Sequence, residues 1–155
     1  MPDSAAPMFA FRFDVAFYAT RLAGSDFAAE PLASGAFAEC SGLEASMEAK
    51  TIKEGGNNDT PIQRAGPVSY ATVILKRGLT PNRDLWRWFE NTARGQYAQR
   101  MDCVVTLNDS AGRPALAWRL ASAMPVKFKA ADFNARASDV AVEELHLVHQ
   151  GLFLL

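Results

Sequence analysis

His146 and His149 are the only histidines in this 155-residue chain, and their spacing decides what chemistry they can share. On a helix a separation of three brings two imidazoles to one face, whereas on a strand it sends them to opposite faces. Val140, Val142, Leu145 and Leu147 around them favour a strand. A shared metal is therefore not expected, because zinc needs converging ligands. Glu143 and Glu144 are adjacent and point apart on a strand, a poor geometry for paired acid–base work. With Asp132 and Asp139 they read as solvated surface acids. Gly55-Gly56 lacks the Lys-Ser/Thr that completes a phosphate loop. The oxygen-bearing side chains beside it, Glu54, Asn57, Asn58 and Asp59, lack the spacing of a calcium loop. Ser41-Gly42 has no glycine on its other side and so makes no nucleophile elbow. Cys40 and Cys103 lie far apart with no CxxC, which reads as reduced thiols in or near a core. No nucleophile–base pair emerges. The expectation is no catalytic residue, no metal, no cofactor and no enzyme activity.

The bulk composition excludes further classes. Sixteen Lys and Arg against seventeen Asp and Glu leave a net charge of −1, so no field of one sign draws in nucleic acid or anionic lipid. No run approaches the ~20 apolar residues of a membrane helix. Met1-Pro2-Asp3-Ser4 begins without the basic start of a secretory signal, and no Lys or Arg precedes Arg12, so synthesis and folding in the cytoplasm are expected. The length suits one domain over residues 1–155, with residues 1–8 as a flexible N-terminus.

The elements that must carry these residues are mainly strands. Phe9, Phe11, Phe13, Val15 and Phe17 alternate with Ala10, Arg12, Asp14 and Ala16, the period of a half-buried strand with an aromatic inner face. Residues 22–38, with Pro31, read as a long irregular connection. Leu43, Ala45, Met47 and Ala49 alternate with Glu44, Ser46, Glu48 and Lys50, a strand with an unusually polar second face. Residues 54–59 have turn chemistry, and Pro61 and Pro67 keep the next stretch extended or looped. A strand over 70–77 follows. Thr80, Pro81 and Asp84 predict a helix start, and Leu85, Trp88, Phe89 and Thr92 predict a helix over about 80–95 closed by Arg94-Gly95. Trp86 and Trp88 are helix neighbours that cannot face one way, so one of them belongs to an edge or interface. Strands return around 101–107, 116–120 and 124–128, with a hairpin loop at 108–112. The parity change at Glu143-Glu144 predicts a β-bulge. The fold expected is mainly β (α+β), an antiparallel sandwich or partial barrel with one flanking helix and extended hairpin loops. Its many strand edges need covering, which self-assembly supplies.

The order of segments carries a further signal. Ser41-Gly42-Leu43-Glu44, then Lys53-Glu54-Gly55-Gly56-Asn57, then Leu75-Lys76-Arg77-Gly78-Leu79-Thr80 and Leu85-Trp86-Arg87-Trp88 resemble the tail tube proteins of contractile bacteriophages. Ala123–Phe128, Asp132-Phe133-Asn134-Ala135, Ala141-Val142-Glu143-Glu144-Leu145 and His149-Gln150-Gly151-Leu152 continue the resemblance to residue 152. That family includes the inner tubes of phage-derived extracellular contractile injection systems and is akin to the type VI secretion tube protein. The resemblance implies six subunits to a ring, rings stacked into a hollow tube, and a contracting sheath that drives it. Implied partners are further copies of this chain, sheath, baseplate or spike and tube-terminator proteins, and a lumen cargo, with no specific nucleic-acid sequence and no membrane insertion of the monomer. It also implies that Lys53, Glu54, Gly55, Gly56, Asn57, Asn58 and Asp59 form a loop reaching a neighbouring subunit or ring. Glu44, Ser46, Glu48 and Lys50 become candidates for the lumen lining. The finished chain would then sit in a tail or injection particle. The connection at 19–38 is longer than the family's usual turn, which keeps open a tube initiator or baseplate adaptor. A monomeric ligand-binding β-barrel, with the aromatic face as its cavity, is the alternative from another class.

Overall fold

Phe13, Val15 and Phe17 turn inward from the first strand, β1 (Phe13–Ala19), and begin the core that the alternation predicts. The structure is a computed structural model that describes residues 13–19, 33–53, 55–56, 59–95, 100–136 and 140–155. Phe9, Phe11 and the expected flexible start lie outside these residues, as does the part of the long connection over 20–32. The last part of that connection is a strand: β2 (Ala33–Ala36) pairs antiparallel with β1 in the register Phe17↔Ala33 to Asp14↔Ala36. A short strand, β3 (Glu39–Ser41), follows at once.

Chain order then gives β4 (Ala45–Ile52), β5 (Ile62–Tyr70), β6 (Val73–Gly78), α1 (Asp84–Ala93), β7 (Met101–Asn108), β8 (Pro114–Lys129), β9 (Val142–Val148) and β10 (Gly151–Leu154). The body is one antiparallel path, β2-β1-β7-β8-β9-β6-β3, with β10 on the flank of β8. The expected strands at 116–120 and 124–128 are a single 16-residue strand. Its first half pairs with β7 and β10 and its second half with β9, so β8 passes from one layer to the other. Ser122 makes that corner at φ 50°. Its N–H donates to Asp102 Oδ1 at 3.0 Å, and Arg100 donates to its carbonyl at 3.3 Å. Such local bonds hold a non-glycine residue in the left-handed region, and an extra residue in a ladder bends the strand there.

Val15, Phe17, Val73, Leu75, Cys103, Leu120, Leu145 and Leu147 are fully buried between the layers. The helix closes the open side. Trp88 meets Phe17 edge-on at 5.4 Å between ring centroids, and Leu85 is buried beside it. The helix begins at Asp84 and not near Thr80, because Asn82 Oδ1 accepts the Asp84 N–H at 3.0 Å and leaves Pro81 in the approach. Gly95 at φ +66° ends it as expected. Of the two tryptophans, Trp86 is the exposed one, 43% accessible and edge-on to Phe128.

Two local expectations are corrected. The strand predicted over 70–77 is broken at Ala71-Thr72, because Tyr70 ends β5 and Val73 starts β6. The bulge predicted at Glu143-Glu144 is not in β9. There Glu143, Leu145 and Leu147 form one uninterrupted buried row while Val142 points out. The register shift lies on the partner strand, between Pro125 and Lys127 of β8. Among the described residues no helix is long and apolar enough to cross a membrane.

Candidate assembly interface

β4 and β5 pair only with each other and form a two-stranded sheet apart from the body. Every residue of β4 is exposed except Ile52, which is half-buried. A two-stranded hairpin of this kind is marginal in water without something packed on it. The register divides its side chains into two faces. Ala45/Tyr70, Met47/Val68, Ala49/Ala65 and Thr51/Gln63 are cross-strand pairs on one of them. Met47 is 58% and Val68 44% exposed, so this largely apolar row faces outward in the single subunit. Ser46/Ser69, Lys50/Arg64 and Ile52/Ile62 share the other face with Glu48.

Pro67 sits inside β5 because the ladder bulges there. A three-residue step of β5, from Val68 to Ala65, opposes the two-residue step from Met47 to Ala49, the placement in which a strand tolerates proline. Gly66 is required beside it: a Cβ at that position would stand 2.0 Å from the Glu48 carbonyl oxygen. At the far end Gly55 and Gly56 turn the chain, with Gly56 at φ +94°. Lys53, Gly55, Gly56 and Asp59 are exposed around this tip. Glu54, Asn57 and Asn58 of the expected contact loop lie outside the described residues. Glu44, Ser46, Glu48 and Lys50, expected to share one polar side, are all exposed, with Glu44 just ahead of β4. Met47, on the side opposite them, is exposed together with its cross-strand neighbour Val68, and the subunit's own core does not reach either.

At its base the hairpin is tied to the body. Gly42, at φ +89°, lets the chain pass so close to Thr72 that a Cβ would meet its carbonyl oxygen at 2.1 Å. The Ala71 N–H donates to the Glu44 carbonyl at 3.1 Å. The ring of Tyr70, the last residue of β5, lies 5.1 Å from that of His149.

Outside the hairpin, the chemistry-bearing side chains hold structure together. Glu143 is not a solvated acid: it is buried at 6% exposure and bound to the equally buried Arg77. Arg77 also donates to the Asn82 carbonyl at 3.2 Å and lies over the Phe37 ring, so the pair fastens the approach to α1. Glu144, on the opposite face, joins Lys76 at 3.6 Å and His146 at 3.2 Å. The His146 hydrogen bond holds its carboxyl below the usual range, with burial opposing. His146 and His149 do not converge, and no group of metal-holding side chains occurs among the described residues. Burial pushes the Cys40 thiol up to about 11 and raises the fully buried Cys103 thiol well above its ordinary value, which leaves little reactive thiolate at neutral pH. An apolar pocket of about 170 Å³ lined by Phe13, Cys40, Leu43, Val105, Leu116 and Trp118 falls short of the roughly 300 Å³ at which ligand sites begin.

The family model of the T4-like virus tail tube protein gp19 matches residues 9–153. Among solved structures, the chain is similar to one in the cryo-EM structure of the anti-feeding prophage baseplate, 6-fold symmetrised, at 26% identity and a TM-score of 0.80, covering 97% of each chain. It is similar to a chain of the PVC extracellular contractile injection system, in the sheath–tube complex in the extended state, at 21% identity and 0.79, covering 98% of this chain and 93% of that one. A crystal structure of an Hcp protein shares the fold at 9% identity and 0.55, covering 92% and 91%. No curated protein matches the sequence.

Proposed function

The chain belongs to the T4-like virus tail tube protein family, and from that premise we propose that it is the structural subunit of the inner tube of a contractile phage tail or phage-derived contractile injection system. Six copies form a ring, rings stack into a hollow tube, and no residue performs chemistry. The match over residues 9–153 carries this reading. The physics of the hairpin supports it, since a two-stranded sheet with an exposed apolar row needs a covering surface that its own body does not provide.

In this reading the Met47–Val68 face packs on a second copy. Ser46, Glu48 and Lys50, with Glu44 before them and Arg64 across from Lys50, line the lumen, where alternating charge keeps a passing cargo from sticking to either sign. The tip, Lys53 to Asp59, reaches the next subunit or ring. Sheath, baseplate and tube-terminator proteins are the further partners; the related structures are of a baseplate, a sheath–tube complex and a sheath/tube terminator. Assembly takes place in the cytoplasm of the producing cell, and the finished chain works inside the particle. The likeness at 26% to a chain of a baseplate structure favours a second reading of the same class, a tube initiator that forms rings on the baseplate and hands over to the bulk subunit.

Replacing Met47 and Val68 together by Asp tests the hairpin's part. Both side chains are exposed in the subunit, so its melting temperature is expected to shift little, while rings or tubes in sedimentation are lost. Tubes at wild-type yield from the double variant would remove the hairpin from the interface.

A further inference from the structure

We propose that His149 is a pH-responsive latch at the base of the β4–β5 hairpin, closed while its imidazole is neutral and released on protonation. Its Nδ1 lies 2.9 Å from the Gly151 carbonyl oxygen. A carbonyl only accepts, so Nδ1 carries the ring's proton and Nε2 is left with a bare lone pair. That Nε2 is buried and has no hydrogen-bond partner among the described residues. A buried polar nitrogen left in this state is uncommon and calls for an explanation. The same ring lies against Tyr70, which pairs with Ala45 at the root of the hairpin. A second proton would turn Nε2 into a charged donor facing no acceptor, and the ring relieves that by leaving its seat, which breaks the Tyr70 contact.

Among the described residues the surroundings offer the imidazolium no compensation. Tyr70 is the titratable group that faces it from β5. The turn from β9 into β10 contributes the Gly151 carbonyl, and the Ala121 carbonyl of β8 is already taken by the Gln150 N–H. Burial lowers the proton affinity of His149 and the Gly151 bond opposes it more weakly; no charged side chain enters the balance. Since the seated ring takes up fewer protons than the released one, the latch is whole above the ordinary histidine range. It weakens as pH falls beneath about 6.5. His146, by contrast, sits beside the Glu144 carboxylate and away from Tyr70 and Gly151. The consequence for the tube, that acid frees the hairpin from the angle needed for stacking, rests on the assembly reading above. The latch itself does not.

The test is hydrogen–deuterium exchange of the dispersed, full-length subunit at pH 7.5 and pH 5.5, corrected for the intrinsic pH dependence of exchange. It is read at the hairpin-base amides, including Ala71, in the wild type, His149→Gln and His146→Gln. The expected result is faster exchange at pH 5.5 in the wild type and in His146→Gln, by up to about tenfold, the ceiling of one decade per unit of pH past the histidine range. In His149→Gln the acid effect is absent. An acid effect of full size in His149→Gln, or none in the wild type, overturns the proposal. Proton-NMR titration of the wild-type imidazoles guards against a misfolded variant: His149 must titrate below the ordinary histidine value, and titration at or above it also overturns the proposal. Neither arm requires tubes, so loss of the tube reading and loss of the latch are separately visible.

Discussion

Glu143 shows how a single residue can mislead and then inform. On the sequence its neighbour Val142 looks like the inward residue and the two glutamates look like surface acids, so the alternation seems to slip. The structure turns Glu143 inward because Arg77 is there to meet it across the β6–β9 register. A buried ion pair is weak evidence of added stability while both partners stand, but removing one strands the other. Glu143→Gln is accordingly expected to lower unfolding stability by about 3 kcal/mol in denaturant titration, with assembly lost only as far as the subunit unfolds. A change below about 0.5 kcal/mol would mean that Arg77 finds water or another acceptor and that the pair does not fasten the helix approach. His149 belongs to the same scale. The sequence put both histidines on one strand, but β9 ends at Val148 and His149 stands in the turn before β10; its significance depends on Tyr70 and Gly151, contacts that period-two logic does not reveal.

At the scale of elements, the alternating strands and the helix were legible because each buries one face in the chain's own core. Val15 and Phe17, Val73 and Leu75, and Leu85 and Trp88 all point as the spacing predicts. The helix start was misplaced because Asn82, two residues beyond the expected cap Thr80, supplies the accepting oxygen. β2 was hidden because Ala33-Ser34-Gly35-Ala36 has almost no strand-forming side chains, and its pairing with β1 is imposed by the fold. The corner of β8 was hidden because Ser122 has no intrinsic preference for positive φ. The hairpin is the instructive case. Its sequence alternates as if one face were buried, yet both faces are exposed in the subunit. Its base depends on Gly42, and Gly42→Ala is expected to cost about 2 kcal/mol or more, since it combines a left-handed backbone with a clash against the Thr72 carbonyl. Thermal unfolding measures this; a melting temperature within a degree of wild type would show that the close approach of Gly42 to Thr72 can relax freely.

For the whole molecule, the order of ordinary segments said more than any motif, and the family match over residues 9–153 agrees with it. The apolar Met47–Val68 row, the polar row with Lys50 and Arg64, and the glycine tip are surfaces with no task in a monomer. Their shared hairpin stands on a body whose chemistry-bearing residues are taken up in ion pairs, caps and core. What one chain does not state is which face meets which copy, because burial in a second subunit leaves the same alternation as burial in the first. Assembly is the property on which the rest depends, and negative-stain electron microscopy of the purified protein, with light-scattering mass on the same sample, measures it. Hollow rings of six subunits or tubes built from them are expected, with tubes marking the bulk subunit and lone rings the initiator. A strict monomer at every concentration, still without rings when co-expressed with its sheath and baseplate partners, would contradict it.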